Sequence, residues 1–245
     1  MIELDSVVME FSGRRVVDEL SLKVDAGAVY GLLGPNGAGK STTINLVTGL
    51  LAPTSGTIRV GGIDAVAEPQ RARGQLAYVS ESVALYPHLS GVENLQLFST
   101  LAGKSLDAPA CRASLERAGL QRDAHARRVA TYSKGMRQKV GLAIALAKDA
   151  RAIVLDEPSS GLDPSAAAEL TDRIRELADD GLAVLMATHD LFRARESCDS
   201  IGLLVGGVLQ AQWAANELDD RALESAYLER VGRDADRTAS SRDEA

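Results

Sequence analysis

The sequence predicts an α/β protein whose mixed β-sheet core is joined to an antiparallel N-terminal β region and interrupted by an inserted helical subdomain. Three observations predict this fold class. Residues 2–30 have the pattern of short strands, residues 29–50 that of a strand, a glycine-rich loop and a helix, and residues 84–149 that of helices without strands. We therefore expect one domain over residues 1–216, with the helical subdomain at about 84–149.

The N-terminal region is rich in strand patterns. Residues 2–11 alternate apolar and polar side chains, as in a half-buried strand, and short apolar runs follow up to residue 30. Gly13 and the turn at 25–27 separate these runs. Phe11 could stack on an adenine, because every base offers a π face to an aromatic ring. It could equally pack into the core, and the sequence leaves both roles open.

A glycine-rich loop at 34–42 joins a buried strand to a helix. Glycine lacks the Cβ that would block unusual backbone angles, so successive N–H groups can turn inward around a phosphate chain. Lys40 supplies a charge for the β- and γ-phosphates, and the hydroxyl of Ser41 is placed to bind Mg²⁺. The alternative is a loop that merely turns the chain, but all fixed positions of the pattern G-x-x-x-x-G-K-[ST] are filled. The nucleotide-binding residues predicted here are Gly34, Asn36, Gly37, Gly39, Lys40, Ser41 and Thr42.

Four further strand patterns follow, and the last three end in polar residues. Glu81 lies in the loop after the second of them, and Asp156 and Glu157 end the third, where Pro158 prevents further ladder pairing. His189 follows the fourth. The strands are predicted at 57–60, 76–79, 152–155 and 182–187.

Helical patterns fill the stretch between the second and third of these strands. Ser90 with Glu93 forms a capping-box sequence, which predicts a helix at 91–101. Asp107 begins another helix, and residues 132–136 precede a third with an apolar face. This change of pattern predicts the inserted subdomain.

The last third of the chain is predicted to hold a helix, a hairpin, a second helix and a tail. A helix follows Asp163, and residues 201–212 form a hairpin. A C-terminal helix is expected over 217–231. Residues 232–245 carry too little apolar surface to fold, so they are predicted to be a disordered tail.

Asp156 and Glu157 together suit the hydrolysis of a phosphoanhydride. That reaction needs Mg²⁺ to neutralise charge and a polarised water in line with the leaving group. Successive strand residues point to opposite sides, so Asp156 can hold the metal while Glu157 polarises the water, a contribution of roughly 10²–10⁴-fold. The alternative is a pair of acids at an ordinary strand end. The phosphate loop before them and residues 158–163 after them favour the catalytic interpretation.

Composition bounds the partners and the compartment. With 245 residues and 45% hydrophobic content the chain can bury a substantial core, and a formal charge of -7 argues against nucleic acid as the main partner. Cys111 and Cys198 lie far apart without metal-ligand spacing, which suits a reducing cytosol. No window approaches the roughly 20 apolar residues of a membrane helix. We therefore expect a chain that is soluble by itself and free to dock on a membrane partner.

The ordered motifs resemble those of the nucleotide-binding subunits of ABC transporters over about residues 2–216. The resemblance places the family's Walker A motif at 34–42, its signature at 132–136, its Walker B motif at 152–156 and its D-loop at 160–163. It implies the ABC ATPase fold, which is built on a P-loop NTPase core.

The resemblance also implies roles for single residues. Glu157 matches the catalytic carboxylate and His189 the switch histidine that contacts the γ-phosphate, so these two and Lys40 are the catalytic candidates. The family's nucleotide contacts outside the phosphate loop fall on Ser133, Gly135 and Asp163. The Mg²⁺ contacts fall on Ser41, Glu81 and Asp156.

Three positions depart from the usual family pattern. Glu81 stands where a glutamine is usual, and it would keep the metal-facing oxygens while adding charge. Lys134 and Met136 replace Gly and Gln in the signature. Lys134 keeps its backbone N–H and adds positive charge near the phosphate.

The function implied by the resemblance is that of an ATP- and Mg²⁺-dependent motor subunit of an ABC transporter, exporter-like and peripheral to the cytoplasmic face of the inner membrane. The signature lies at a predicted helix N-terminus, which is a phosphate-binding site, and the chain already has one such site in the loop at 34–42. Two copies are therefore expected to pack head to tail, each ATP bridging them, beneath separate integral membrane subunits. The alternatives are a soluble ABC ATPase of translation or DNA repair, and a nucleotide-binding regulator without hydrolysis.

Overall fold

The structure, a computed structural model, describes residues 1–217 and 219–240 of the chain. Its strands are β1 (Ile2–Phe11), β2 (Arg14–Val24), β3 (Val29–Leu33), β4 (Ser55–Val60), β5 (Ile63–Asp64), β6 (Leu76–Val79), β7 (Ala152–Asp156), β8 (Ala183–Thr188), β9 (Ser200–Val205) and β10 (Val208–Ala214). Its α-helices are α1 (Lys40–Val47), α2 (Pro69–Gly74), α3 (Gly91–Leu101), α4 (Ala108–Arg117), α5 (Lys134–Ala147), α6 (Pro164–Asp179), α7 (Leu191–Ser197) and α8 (Asp220–Ser240).

The central sheet has six strands in the order β10-β9-β3-β8-β7-β6. Strands β6, β7, β8, β3 and β9 are parallel, and β10 pairs antiparallel with β9, so the predicted mixed sheet is confirmed. Every residue of β3 and of β8 is buried, as expected for parallel strands covered on both faces. The carboxyl ends of parallel strands meet at one edge of the sheet, where ligands bind in open α/β folds. The loops at that edge begin with Gly34, Ser80, Glu157 and His189.

The N-terminal sheet has four strands in the order β2-β1-β4-β5, all paired antiparallel, so the predicted antiparallel region is confirmed. The short apolar runs expected as separate strands within 14–24 form the single strand β2. Its pairing with β1 changes register three times, and Glu19 has a positive φ of 50°. A bulge lets a ladder resume after an irregular residue, which is why the interrupted pattern forms one strand.

The helical subdomain at 84–149 contains α3, α4 and α5 with short 3₁₀ turns, and no strand lies within this fully described stretch. Ser90 accepts a hydrogen bond from Glu93 N while the Glu93 carboxylate accepts one from Ser90 N, which confirms the predicted capping box. Leu95, Leu115 and Leu142 are almost completely buried where the three helices pack. The subdomain is thus held by aliphatic packing.

Two features of the fold differ from the sequence-based expectation. The first is a set of three short elements that were not predicted because none is long enough to show a period: helix α2, the two-residue strand β5 and helix α7. Helix α8 continues to Ser240, beyond the boundary expected at 231, because the composition argument counted apolar surface and took no account of hydrogen bonds made within a helix. The rest of the predicted tail, 241–245, lies outside the described residues. In the described part of the chain, no helix combines the length and the apolar content needed to cross a bilayer.

Candidate active site

The phosphate loop at 34–42 runs from the end of β3 to the start of α1. Gly39 caps α1 with a φ of 106°, and a Cβ there would lie 2.7 Å from the carbonyl oxygen of Val16. A Cβ on Gly34 would lie 2.2 Å from the carbonyl oxygen of Leu204. Only glycine therefore fits at these two positions, which explains their place in the motif.

Lys40 is the first residue of α1, and its side chain is only 7% exposed. Its Nζ donates to the carbonyl oxygens of Gly34 at 2.5 Å and Pro35 at 3.2 Å, and lies 3.7 Å from Oε1 of Glu157. Burial lowers the pKa of Lys40, against the opposing effect of Glu157 and Asp156. The ammonium group is thus held over the loop, between its carbonyls and the strand-end carboxylate.

A cleft of about 310 Å³ lies along this loop and brings most of the predicted site residues together. Val16 also lines it and was not predicted. The predicted residues on its wall are Asn36, Gly37, Gly39, Lys40, Ser41, Thr42, Glu81, Asp156 and Glu157. Their functions as ligands remain predictions.

Glu157 follows β7 in a left-handed backbone conformation, with φ 45°. A non-glycine residue in this region is uncommon and strained, and such residues cluster at functional sites. Its N–H donates to the carbonyl oxygen of Ala187 at 2.9 Å, and its Oε2 lies 2.8 Å from Nδ1 of His189. The local backbone therefore directs one carboxylate toward both Lys40 and His189.

Asp156 is the last residue of β7, half-buried beside Glu157. Burial raises its pKa, and the nearby charges of Glu157 and Glu81 raise it further. The hydroxyl of Tyr78 donates to its Oδ2 at 3.5 Å. Tyr78 was not predicted, although it stands one strand away, where β6 pairs with β7.

The oxygen donors of the cleft fit Mg²⁺. Ser41, Asp156 and Glu81 all line it, and Mg²⁺ prefers hydroxyl, carboxylate and phosphate oxygens while keeping several waters. No group of three or more His, Cys, Asp or Glu side chains that could hold a metal occurs among the described residues. One hydroxyl and two carboxylates leave coordination positions for waters and nucleotide phosphates, so these three residues would hold a metal shared with a nucleotide.

Ser133, Gly135 and Asp163 lie outside the wall of the phosphate cleft. Ser133 caps α5 by accepting from Met136 N at 3.2 Å, and Asp163 caps α6 by accepting from Ala166 N at 3.0 Å. A Cβ on Gly135 would lie 3.4 Å from the Cβ of Ala166, so the two helix starts adjoin. The chain therefore presents a second helix-end surface apart from its own phosphate loop.

Phe11, at the end of β1, is 44% exposed and does not line the cleft. Its exposure argues against the core role that the sequence left open. Stacking on an adenine remains a prediction.

Comparison with known proteins supplies relatives for both the sequence and the fold. The family model described as ABC transporter matches residues 17–160. YdbJ of Bacillus subtilis (strain 168), an uncharacterized ABC transporter ATP-binding protein, is 34% identical over 230 residues, which are 94% of this chain and 74% of the relative. DrrA of Streptomyces peucetius, a daunorubicin/doxorubicin resistance ATP-binding protein, is 39% identical over 89% of this chain and 66% of its own length. A solved ATP-binding subunit of an ABC transporter superposes with a TM-score of 0.79 at 31% identity, covering 94% of this chain and 97% of that one.

Proposed function

The chain belongs to the ABC transporter family, and we propose from this that it is the ATP-binding and ATP-hydrolysing motor subunit of an exporter-like transporter. The observation that carries the proposal is the cleft that unites Lys40, Asp156 and Glu157 beside the phosphate loop. A phosphate chain lying along that loop would meet the ammonium group, the metal-facing carboxylate and the strained glutamate together.

Each residue has a distinct part in the proposed hydrolysis. Lys40 stabilises negative charge on the β- and γ-phosphates, and Glu157 accepts a proton from the attacking water. His189, hydrogen-bonded to the carboxylate of Glu157, would orient it, and the family resemblance gives His189 a contact with the γ-phosphate. Ser41, Asp156 and Glu81 would hold Mg²⁺, which when bound neutralises phosphate charge.

Two copies of the chain are proposed to work together. The start of α5 at Ser133 is a helix N-terminus, where backbone N–H groups and the helix dipole favour a phosphate, yet it does not line the chain's own cleft. It would therefore serve the nucleotide of a second copy packed head to tail. Shifting such a dimer from 1:99 to 99:1 closed requires about 5.5 kcal/mol of differential binding, within reach of two nucleotides.

Export and membrane association are proposed from the relatives. The Streptomyces peucetius relative is a daunorubicin/doxorubicin resistance ATP-binding protein, which supports an exporter-like role. We place the dimer at the cytoplasmic face of the inner membrane, beneath separate integral membrane subunits. The chain spans about two thirds of the length of that relative. We therefore assign no transported substrate to this chain from the name of the relative.

The most direct test of catalysis is phosphate release by the purified chain. With ATP and Mg²⁺ we expect steady release of phosphate, and chelating Mg²⁺ should abolish it, because Asp156, Glu157 and the phosphates are all anionic. Tight ATP binding without phosphate release, even beside the membrane subunits, would favour a nucleotide-dependent regulator instead.

The surface around Tyr86 is proposed to dock the membrane subunit. Tyr86 is 54% exposed, its ring centroid lies 6.2 Å from that of Phe98, and its backbone is fixed by hydrogen bonds to the side chain of Asn94. Leu89 is partly exposed and lies beside Tyr86, with its N–H donating to the carbonyl oxygen of Tyr86 at 3.1 Å. Tyr86→Asp and Leu89→Asp should uncouple transport and weaken co-purification with the membrane subunits, because each places a charge on the proposed contact surface. Phosphate release by the isolated chain should survive in both.

Leu50→Asp provides the matched control, because Leu50 is 65% exposed and lies outside this surface. Membrane fractions would be compared for the amount of each variant retained and for transport. Full retention and transport by both the Tyr86 and the Leu89 variants would locate the docking surface elsewhere.

A further inference from the structure

Glu81 and Lys134, two of the three residues that depart from the usual family pattern, contact each other. Oε1 of Glu81, in the loop after β6, accepts a hydrogen bond from Nζ of Lys134 at 3.3 Å. The same oxygen accepts one from the hydroxyl of Ser160, in the loop after β7, at 2.8 Å. Three segments that are distant in sequence therefore converge on one carboxylate oxygen.

Helix α5 holds the backbone of Glu81 as well as its side chain. Gln138 stands one turn after Lys134, so the two side chains lie on the same face of the helix. Nε2 of Gln138, which is 1% exposed, donates to the carbonyl oxygens of Glu81 at 2.8 Å and Ser80 at 3.3 Å. Gln138 thus fixes the backbone of the loop at Ser80 and Glu81, and Lys134 fixes the carboxylate of Glu81.

The position of Glu81 matters because the cleft is already crowded with negative charge. Glu81, Asp156 and Glu157 all line it, and the charge of Glu81 helps to raise the pKa of Asp156. Ser160 and Lys134 both donate to Oε1 of Glu81, so a hydroxyl and an ammonium group face the charge that Glu81 adds to the cleft. Lys134 compensates part of the charge that a glutamate adds at this position.

We propose that Lys134 is a positioning residue for Glu81, and that the two form one matched pair which, with Ser160, holds the Glu81 carboxylate on the wall of the cleft, where it would help to hold Mg²⁺. The inference rests on the proposed function, because only there does the cleft receive Mg²⁺ with a nucleotide. It follows that the effect of Lys134 on metal affinity depends on the presence of Glu81, and that Lys134 contributes to this affinity without touching the metal.

The competing interpretation is an ordinary solvated ion pair. The side chain of Lys134 is 32% exposed and that of Glu81 is 49% exposed, and pairs this accessible often contribute little. The two interpretations differ in one measurable respect. A positioning role makes Mg²⁺ affinity respond to Lys134 and Ser160 only while the Glu81 carboxylate is present.

The experiment measures binding of the fluorescent analogue TNP-ATP to the purified chain while free Mg²⁺ is titrated. Lys134→Gln and Ser160→Ala are each made alone and again in a Glu81→Ala background. Alone, Lys134→Gln should raise the free Mg²⁺ needed for half-maximal binding by about two- to fivefold, the range expected of a half-exposed ion pair. Ser160→Ala removes one hydrogen bond to the same oxygen and should shift the requirement in the same direction. In the Glu81→Ala background, neither should shift it. Ser160→Ala is informative because it removes no charge. If Lys134 acted only through the general electrostatic potential of the cleft, Ser160→Ala would leave the Mg²⁺ requirement unchanged.

Arg117→Gln is the matched control, because Arg117 forms an exposed ion pair with Asp180 that does not line the cleft. It should leave the Mg²⁺ requirement unchanged. Equal shifts in both backgrounds, or no shift in either, would overturn the pairing while the proposed function stood. If the unmodified chain bound no nucleotide at any Mg²⁺ concentration, the proposed function and the pairing would both fall.

Discussion

Replacing Glu157 by glutamine is expected to lower ATP hydrolysis by about two to four orders of magnitude while ATP still binds. The substitution keeps the size of the side chain and its hydrogen-bonding oxygen, but it removes the negative charge that we propose accepts the proton of the attacking water. The strained backbone at this position, with φ 45°, is unchanged by the substitution. Phosphate release and nucleotide binding measured on the same sample would separate the two effects.

Glu19 offers a control for the backbone conformation. It is also a glutamate with positive φ, 50°, and it lies on the exposed bulge of β2, outside the phosphate cleft. Glu19→Gln should hydrolyse ATP at the unmodified rate. An equal loss in the two variants would show that the Glu157 result reflects the fold and not the chemistry.

Replacing Lys40 by alanine should abolish nucleotide binding and hydrolysis together, since no other ammonium or guanidinium group lines the cleft in the described part of the chain. Lys40 now satisfies the carbonyl oxygens of Gly34 and Pro35, and Pro35 lines the cleft, so water can enter the space that the side chain leaves. The fold should therefore persist, as circular dichroism and thermal unfolding would show. Unchanged turnover in this variant would remove the phosphate-loop assignment.

Lys148 provides the matched control for losing a lysine that donates to carbonyl oxygens. Its Nζ donates to the carbonyl oxygens of Arg73 and Leu76, both at 2.6 Å, and it does not line the cleft. Lys148→Ala should lower thermal stability while ATP binding by the folded protein remains. Loss of binding in both variants would point to the fold as the cause.

Features encoded by neighbouring residues could be predicted from the sequence. The capping box of Ser90 and Glu93 depends on residues three apart, and the phosphate loop on nine consecutive residues, so both are visible as patterns. The polar residues after β6, β7 and β8 could be expected at one site because parallel strands align their carboxyl ends. The fold class and the central cleft follow from such local signals.

Contacts between distant segments could not be predicted in the same way. Val16 reaches the cleft from the other sheet, and no spacing in the sequence relates it to the phosphate loop. Glu81, Lys134 and Ser160 meet only because β6, α5 and β7 pack together, so their contact is a property of the tertiary structure. The positive φ of Glu157 likewise could not be predicted from the residue type, because glutamate has no special preference for this conformation.

We propose that ATP bound in the cleft of one copy is covered by the start of α5 of another copy. Light scattering of the Glu157→Gln protein at saturating ATP and Mg²⁺ tests it most directly, because that variant should close around ATP and fail to reopen. Adding Ser133→Arg to the Glu157→Gln protein places a bulky cation at the start of α5. Adding Ser133→Ala instead removes only the helix cap, which lowers the free energy of unfolding by about 1 kcal/mol, and so controls for the loss of the cap. We expect dimers of the Glu157→Gln protein, dimers when Ser133→Ala is added, and monomers that still bind ATP when Ser133→Arg is added. A Glu157→Gln protein that stays monomeric with ATP bound, alone and beside its membrane subunits, would contradict it.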